Sequence, residues 1–363
     1  MKNIMKIIIA LFTSVSLIGS ASAGELTVTG TAKATYVMQS GMVNAAPGIG
    51  ITNEIDFGAK GELDNGWTWN YQVQMDPAAA ASNATNTTDD SRLEVTTGYG
   101  TLGIYVSEGG LDTDNAGSQS VYARPSDMSI STGMADTYDV GGFNNIQLHT
   151  PAGLLPNDTI IKFALAPGKN TIINPGNAVN AKTADGRYGE KAMQLQVKTT
   201  IIDGVKIGAD YFMEDGAGDA TSPVIQKKES GSIFATYATG PASFGISHSL
   251  KAPLILGTSA TQSVISNASA AGGNADSVRH WSTYKASAAF NVNDALSVSY
   301  EREHSNRNFI DGSVENATIE SDAIQAAYTM GGMTLALSHG QTKNISYKKG
   351  AVRETLFAMT MAF

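Results

Sequence analysis

Polar and apolar residues alternate along most of this chain. Over Leu26–Met38, Val28, Gly30, Ala32, Ala34, Tyr36 and Met38 fall on one side and Thr27, Thr29, Thr31, Lys33 and Thr35 on the other. A period of two is the signature of a β-strand. Next, Ile55, Phe57, Ala59, Gly61 and Leu63 oppose Glu54, Asp56, Lys60 and Glu62, a face too acidic for the core of a soluble protein. Asp64-Asn65-Gly66 reads as a tight turn. Beyond it Trp67, Trp69, Tyr71, Val73 and Met75 share one side against Thr68, Asn70, Gln72 and Gln74. An apolar face that wide requires lipid or a second sheet.

Read onward in the same way, the pattern predicts strands near 92–97, 101–107, 143–150, 159–166, 191–201, 205–214, 231–239, 242–249, 280–290, 295–304, 318–330, 333–343 and 353–363, sixteen with the three above. It weakens at 231–239 and at 318–323, where Glu320 and Asp322 land on the apolar side and imply a bulge or a rim position. Short connections (64–66, 98–100, 202–204, 240–241, 291–294, 331–332) alternate with long ones (39–51, 76–91, 108–142, 167–190, 215–230, 250–279, 305–317, 344–352), and 151–158 is intermediate. Tight turns at one end and long loops at the other describe an up-and-down meander, not a Greek-key sandwich. A strand of ~10 residues rising ~3.3 Å each and tilted ~45° spans roughly 23 Å, close to the ~25 Å apolar band of a transmembrane barrel. Lys, Glu, Asp, Gln, Thr and Ser on the inward sides make the interior wet. The fold class is therefore all-β, a 16-stranded antiparallel transmembrane β-barrel.

Composition narrows the function. Hydrophobic residues make up 42% of the 363, mean hydropathy is −0.10, and no apolar run after the N-terminus reaches the ~18 to 20 residues of a membrane helix. Zero Cys removes disulfides, zinc-thiolate sites and thiol nucleophiles. With 24 Lys and Arg against 33 Asp and Glu and no long basic run, nucleic acid is not an expected partner. Lys2 and Lys6, the apolar stretch Ile7–Ile18 and Ala21-Ser22-Ala23 form a secretory signal peptide, residues 1–23. The expected mature chain, 24–363, has lost two Lys, which takes the net charge from −9 to −11.

The C-terminal RETLFAMTMAF places Phe357, Met359, Met361 and Phe363 on one face and ends in an aromatic residue. With the signal peptide and the turn-and-loop rhythm, this resembles the Gram-negative general porins of the 16-stranded, trimeric, alphaproteobacterial type, over the whole mature chain. The resemblance implies outer-membrane location, a homotrimer, Phe363 as the signal read by the outer-membrane assembly machinery, and a third long loop folded into the lumen. GYGTLGIY (98–105) resembles the turn and strand that precede that loop. A dinucleotide reading of Gly98, Gly100 and Gly103 fails because Thr101–Ser107 alternates as a strand where a helix is required. The family commonly ends that strand in a Gly beside Arg or Asn, whereas Ser107-Glu108 stands here.

The loop, Glu108–Gly142, is the longest connection and carries Glu108, Asp112, Asp114, Asp127, Asp136 and Asp139 against the single Arg124. It is assigned as the pore constriction. Asp112-x-Asp114-Asn115 lacks the offsets of a Ca²⁺ loop, so neither a metal nor any other cofactor is assigned. Strand parity turns Lys33, Lys60, Arg92, Lys162, Lys198, Lys206 and Lys285 inward, and these are expected to face the loop, since Lys on a lipid face costs ~2 to 4 kcal/mol at the midplane. Outward Gly30, Ala32, Ala34, Ala59 and Gly61 would let a second barrel approach closely. The leading function is passive diffusion of small hydrophilic solutes and ions, with a weak preference for cations. A solute-selective channel is the alternative, disfavoured by few inward aromatics (Tyr105, Phe212, Phe234). An enzyme finds little support in five His, no G-x-S-x-G, and EREH at 301–304 in place of H-E-x-x-H. The loops also lack the size of an adhesin's.

Overall fold

The computed structural model describes residues 24–42, 46–75, 90–128, 133–167, 191–215, 224–256, 278–310 and 317–363. Residues 1–23, expected to be the signal peptide, lie outside them, as do most of the loops at 76–91, 167–190 and 250–279, half of that at 215–230 and residues 311–316 of that at 305–317. The strands are β1 Glu25–Gly41, β2 Gly48–Glu62, β3 Thr68–Met75, β4 Ser91–Thr97, β5 Gly100–Val106, β6 Asn145–His149, β7 Ile160–Ala166, β8 Ala192–Ile202 and β9 Val205–Glu214. They continue as β10 Val224–Gln226, β11 Lys228–Thr239, β12 Ala242–Ala252, β13 Ile255–Leu256, β14 Val278–Asn291, β15 Leu296–Phe309, β16 Ala317–Met330, β17 Met333–Lys343 and β18 Ala351–Ala362.

Sixteen of these close into one antiparallel barrel in chain order, and β10 pairs with β13 in a separate two-stranded sheet. Closure runs from Thr31↔Ala362 to Gly41↔Val352 between β1 and β18, so the sheet has no free edge. Amphipathicity is inverted relative to a soluble protein. Outward Ile233, Ile246 and Ile324 are about 60% exposed, while inward Gln194, Glu301 and Glu303 are fully covered. The turns behave as their residues require: at 64–66 Gly66 sits at φ +78 and Asn65 accepts a hydrogen bond from Trp67 N at 3.1 Å.

Three sequence expectations change. The barrel strands run longer than the alternation alone showed at several long-loop ends: β1 reaches Gly41 and β2 begins at Gly48, and β15 reaches Phe309, which shortens the loops expected at 39–51 and 305–317. The added residues Gln39 to Gly41 of β1 and Ser305 to Asn308 of β15 are polar on both faces, so alternation stops there before the hydrogen-bond ladder does, whereas β2 is extended by Gly48-Ile49-Gly50-Ile51. Second, the loops at 215–230 and 250–279 contain the small sheet and the start of β11. Third, β16 has no bulge. Its register with β15 and β17 is unbroken, and Glu320 and Asp322 stay on the outer face.

Candidate functional site

The long segment between β5 and β6 folds into the barrel and lies along the inner faces of β8 to β17. It departs through Ser107 at φ +57 and Gly109 at φ +81. The left-handed turn that a Gly would take freely is thus carried by Ser107, at a small conformational cost. Side chains of the wall then collect the loop backbone. Gln196 Nε2 donates to Leu111 O at 2.7 Å, Thr113 N donates to Asp210 Oδ1 at 2.8 Å, and Ser247 Oγ donates to Asp114 O at 2.6 Å. Val121 N reaches Ser299 Oγ at 3.0 Å, Tyr122 N reaches Gln325 Oε1 at 3.1 Å, and Ser126 N reaches Glu303 Oε2 at 2.9 Å. On the return, Tyr138 N donates to Ser230 Oγ at 2.9 Å and Val140 N to Gln194 Oε1 at 3.0 Å. Asn145 Nδ2 then closes the base on the carbonyls of Glu108, Val140 and Phe143.

Close approach needs small residues. A Cβ on Gly245 would sit 1.7 Å from the carbonyl oxygen of Gly117, and one on Gly117 would sit 2.5 Å from that of Ile246. Leu111, Val140 and Phe143 of the loop join Phe212, Ala164, Ala166 and Ala192 of the wall in a small apolar core, with Phe143 stacked on Phe212. Phe212 and Tyr105 face inward as parity requires, but both are buried against the loop or its base, so neither offers an aromatic track to a solute.

Charge is organised differently from the sequence expectation. Lys285 does not face the loop across the lumen; it lies beneath it, 2% exposed, 3.3 Å from Asp114 Oδ2 and 3.1 Å from Asp136 Oδ1, and bonded to Asn115. Arg124 beside it takes Asp127 bidentately at 2.6 and 2.7 Å, Asp136 at 3.2 Å and Glu303 at 3.8 Å. The loop acids are thus partly neutralised by cations within the fold. Burial pushes the Asp114 carboxyl up to about 7, against the pull of Lys285, and a hydrogen bond with Asp112 adds to the rise. Burial also raises Asp136, but Lys285 and Arg124 outweigh it and hold the carboxyl at about 2. Asp112 and Glu108 are both raised, chiefly by burial.

The remaining predicted cations divide by place. Arg92 reaches Glu108 at 3.9 Å and donates to Gln72, which in turn donates to Asp56 at 2.8 Å. Lys162 stands across from His149 on β6 and Gln196 on β8, and Lys198 across from Ile160 and Gly208, with Asp112 and Asp210 the acids that act on it. Lys33 sits 6.0 Å from the Tyr122 ring of the loop. Lys60 and Lys206 do not join them: Lys60 pairs with Glu25 at 3.0 Å where the chain enters the barrel, and Lys206 is one residue from the 203–204 turn end of β9. Parity fixes only which face a side chain takes, not its height.

Sequence reading missed the wall groups that hold the loop, among them Asp210, Gln194, Gln325, Asn145, Glu301 and Glu303. Both acids of the last pair are legible as inward, but nothing in EREH at 301–304 marks them as partners of the loop. Phe363 closes the barrel seam: its N donates to Gly30 O at 3.0 Å and its O accepts from Gly30 N at 2.9 Å. Its ring covers Gly30, and the Trp69 ring covers Gly61, so two of the five outward small residues are already covered by rings of this chain, while Ala32, Ala34 and Ala59 are half-buried.

The chain matches no protein-family model and no curated protein. Solved structures do match. Salmonella typhi OmpF in complex with daunomycin superposes with a TM-score of 0.66 at 13% identity, covering 95% of this chain and 100% of that one. An anion-selective porin from Comamonas acidovorans gives 0.61 at 11%, covering 94% and 100%. The trimer form of in-vitro folded OmpT, an outer membrane protein of Vibrio cholerae, gives 0.60 at 12%, covering 94% and 100%. The fold is that of the 16-stranded porins.

Proposed function

We propose that the chain is a passive, water-filled channel of the Gram-negative outer membrane for small hydrophilic solutes and ions, weakly selective for cations. The observation that carries this reading is one closed barrel, apolar outside and polar inside, whose lumen is narrowed by the segment between β5 and β6. An apolar exterior suits lipid. A wet lumen lined by fixed charges sorts ions by the field at its narrowest point. There the six loop acids meet Arg124, Lys285 and Arg92, which leaves three negative charges in excess. The opposite wall mixes Glu54, Asp56 and Glu94 with Lys33, Lys162 and Lys198, so the net preference is modest. The trimer form among the matching structures supports a homotrimer. The alphaproteobacterial subtype and recognition of Phe363 by the assembly machinery rest on the sequence resemblance, and the leader at 1–23 rests on Lys2, Lys6, the apolar stretch Ile7–Ile18 and Ala21-Ser22-Ala23.

The test is a salt-gradient reversal potential in a planar bilayer. The reading requires a sign that favours K⁺ over Cl⁻, largest near 0.01 M, where the Debye length is ~30 Å, and smaller near 1 M, where it is ~3 Å. A reversal potential of the opposite sign at low salt overturns the selectivity.

A further inference from the structure

On the outer face of β12, β14 and β15 the strand register brings a hydroxyl, two imidazoles and an amide together. Leu250 pairs with Ser282 and His248 with Tyr284 between β12 and β14; Ser282 pairs with Asn306 and Tyr284 with His304 between β14 and β15. His248 is therefore the diagonal neighbour of Ser282, a separation that an aromatic ring spans. Its Nε2 lies 3.1 Å from Ser282 Oγ, within reach of a nucleophile and its base. Stacking on Tyr284 fixes the imidazole, with ring centroids 4.2 Å apart and planes inclined by 15°. Neither Ser282 nor His248 serves the loop or the lumen, because they alternate with the inward Thr283, Lys285, Ser247 and Ser249.

On the other side of Ser282, Asn306 Oδ1 lies 3.0 Å from His304 Nε2, and His304 Nδ1 lies 3.5 Å from Glu320 Oε1. With its oxygen engaged by the imidazole, the Asn306 amide keeps its N–H groups to donate toward whatever Ser282 holds. His248 also lines a cleft of about 510 Å³, shared with Ile233, Ile246, Tyr284 and Ala286. Ser282 is nine residues from Asn291 at the opposite end of β14, and Asn306 ten from Leu296 at that of β15. At ~3.3 Å per residue and ~45° tilt they stand ~21 to 23 Å above those ends, at the upper edge of a ~25 Å apolar band. Ile246 and Ala286 come nearer the same ends, so the apolar part of the cleft runs down into the band while the polar groups meet water.

We propose that Ser282 and His248 form an esterase site on the outer wall, for carboxylic esters that carry an apolar acyl chain. The cleft takes the chain and leaves the ester carbonyl at the level of Ser282. Ser282 Oγ attacks the carbonyl carbon as its proton passes to His248 Nε2, and Asn306 donates to the oxygen that becomes negative. The ester C–O bond then breaks, the leaving alkoxide takes the proton from His248, and the alcohol departs from an acyl-Ser282 intermediate. Water attacks that acyl carbon and gives a proton to His248, which returns it to Ser282 as the carboxylic acid leaves. Atoms balance with water as the single co-reactant, and nothing is oxidised or reduced. Nucleophile, base and amide come from three strands, so no local motif marks the site. The proposal depends on the outward faces of these strands and not on conduction through the lumen.

The test uses the full mature protein, folded in a neutral detergent. An alkyl fluorophosphonate, which bonds covalently to activated serine hydroxyls, is expected to mark Ser282, as read by peptide mass spectrometry. Hydrolysis is followed with p-nitrophenyl octanoate as a dissolved ester and with a dioctanoyl glycerophospholipid in mixed micelles as a membrane ester. Turnover of either is expected to fall by about a hundredfold or more in S282A, H248Q and N306A. The arm that responds identifies the source of the ester. Heat-modified gel mobility confirms that each barrel is folded, and S282A and H248Q are expected to keep the wild-type conductance, since neither residue faces the lumen. A folded wild type in which Ser282 stays unmarked and neither ester is cleaved overturns the proposal. So does hydrolysis that persists undiminished in S282A, which assigns the activity to a contaminating esterase, or a rate unchanged in H248Q. A protein that cleaves ester through Ser282 and yet conducts no ions refutes the channel reading and supports the esterase site.

Discussion

Replacing Lys285 with Met tests the electrostatic anchor of the internal loop. The ammonium is enclosed between Asp114, Asn115 and Asp136, and its removal leaves the covered Asp114 carboxylate without a cation beside Asp136, which keeps Arg124. Removing one partner of a buried ion pair is destabilising by about 3–5 kcal/mol. At ~1.4 kcal/mol per factor of ten, that raises the population of loop-detached states by two to three and a half decades. Detachment stays local, because the bonds from Thr113, Val121, Tyr122, Ser126, Tyr138 and Val140 to the wall remain, each worth about 1 kcal/mol. The barrel itself keeps its sixteen-strand ladder, so heat-modified mobility is unchanged. Single-channel recording is the assay: K285M is expected to show excess open-channel noise and transitions to a larger conductance. Adding Asp114→Asn removes the orphaned charge and is expected to quieten the channel again. A K285M channel with the conductance, noise and selectivity of the wild type refutes the reasoning.

Three further outcomes follow from the geometry. Gly245→Val places a Cβ in the space of the Gly117 carbonyl, so the loop must lift from β12, and the conductance is expected to rise in planar bilayers while circular dichroism still reports a full barrel. Lowering the pH from 8 to 5 protonates Asp114, held at about 7, and adds protons to Asp112 and Glu108, both raised by burial, whereas Asp136 at about 2 stays ionised. The loop becomes less negative, so the K⁺ to Cl⁻ permeability ratio falls with pH, and D114N flattens that dependence; a ratio that rises on acidification contradicts the assignment. Deleting Phe363 removes two seam hydrogen bonds to Gly30 at the end of the barrel away from the loop, and is expected to lower surface levels in cells without changing unitary conductance.

The barrel was readable from the chain because inside and outside differ in chemistry and a strand alternates between them. Glu320 and Asp322 looked like errors in that alternation and proved to be features of the outer surface, where Arg302, His304 and Lys343 gather on Glu320. The loop was readable in position and length, but not in path. Its course is set largely by backbone N–H groups meeting wall side chains, and a backbone donor leaves no mark on the residue that carries it. Nor does a count of acids reveal their partners: Asp114 and Lys285 are 171 residues apart, and only closure of the barrel brings them together. Lys285 was legible as inward and cationic, yet whether it lies across from the loop or beneath it depends on which strands the loop covers.

Single-channel recording of the wild-type protein in a planar lipid bilayer tests the central claim, that a polar lumen narrowed by the segment between β5 and β6 is open to water and ions. The account predicts ohmic steps that occur in threes, with a reversal potential under a salt gradient that favours K⁺ over Cl⁻. Protein shown to be folded that inserts into the bilayer and yields no conductance steps would contradict it.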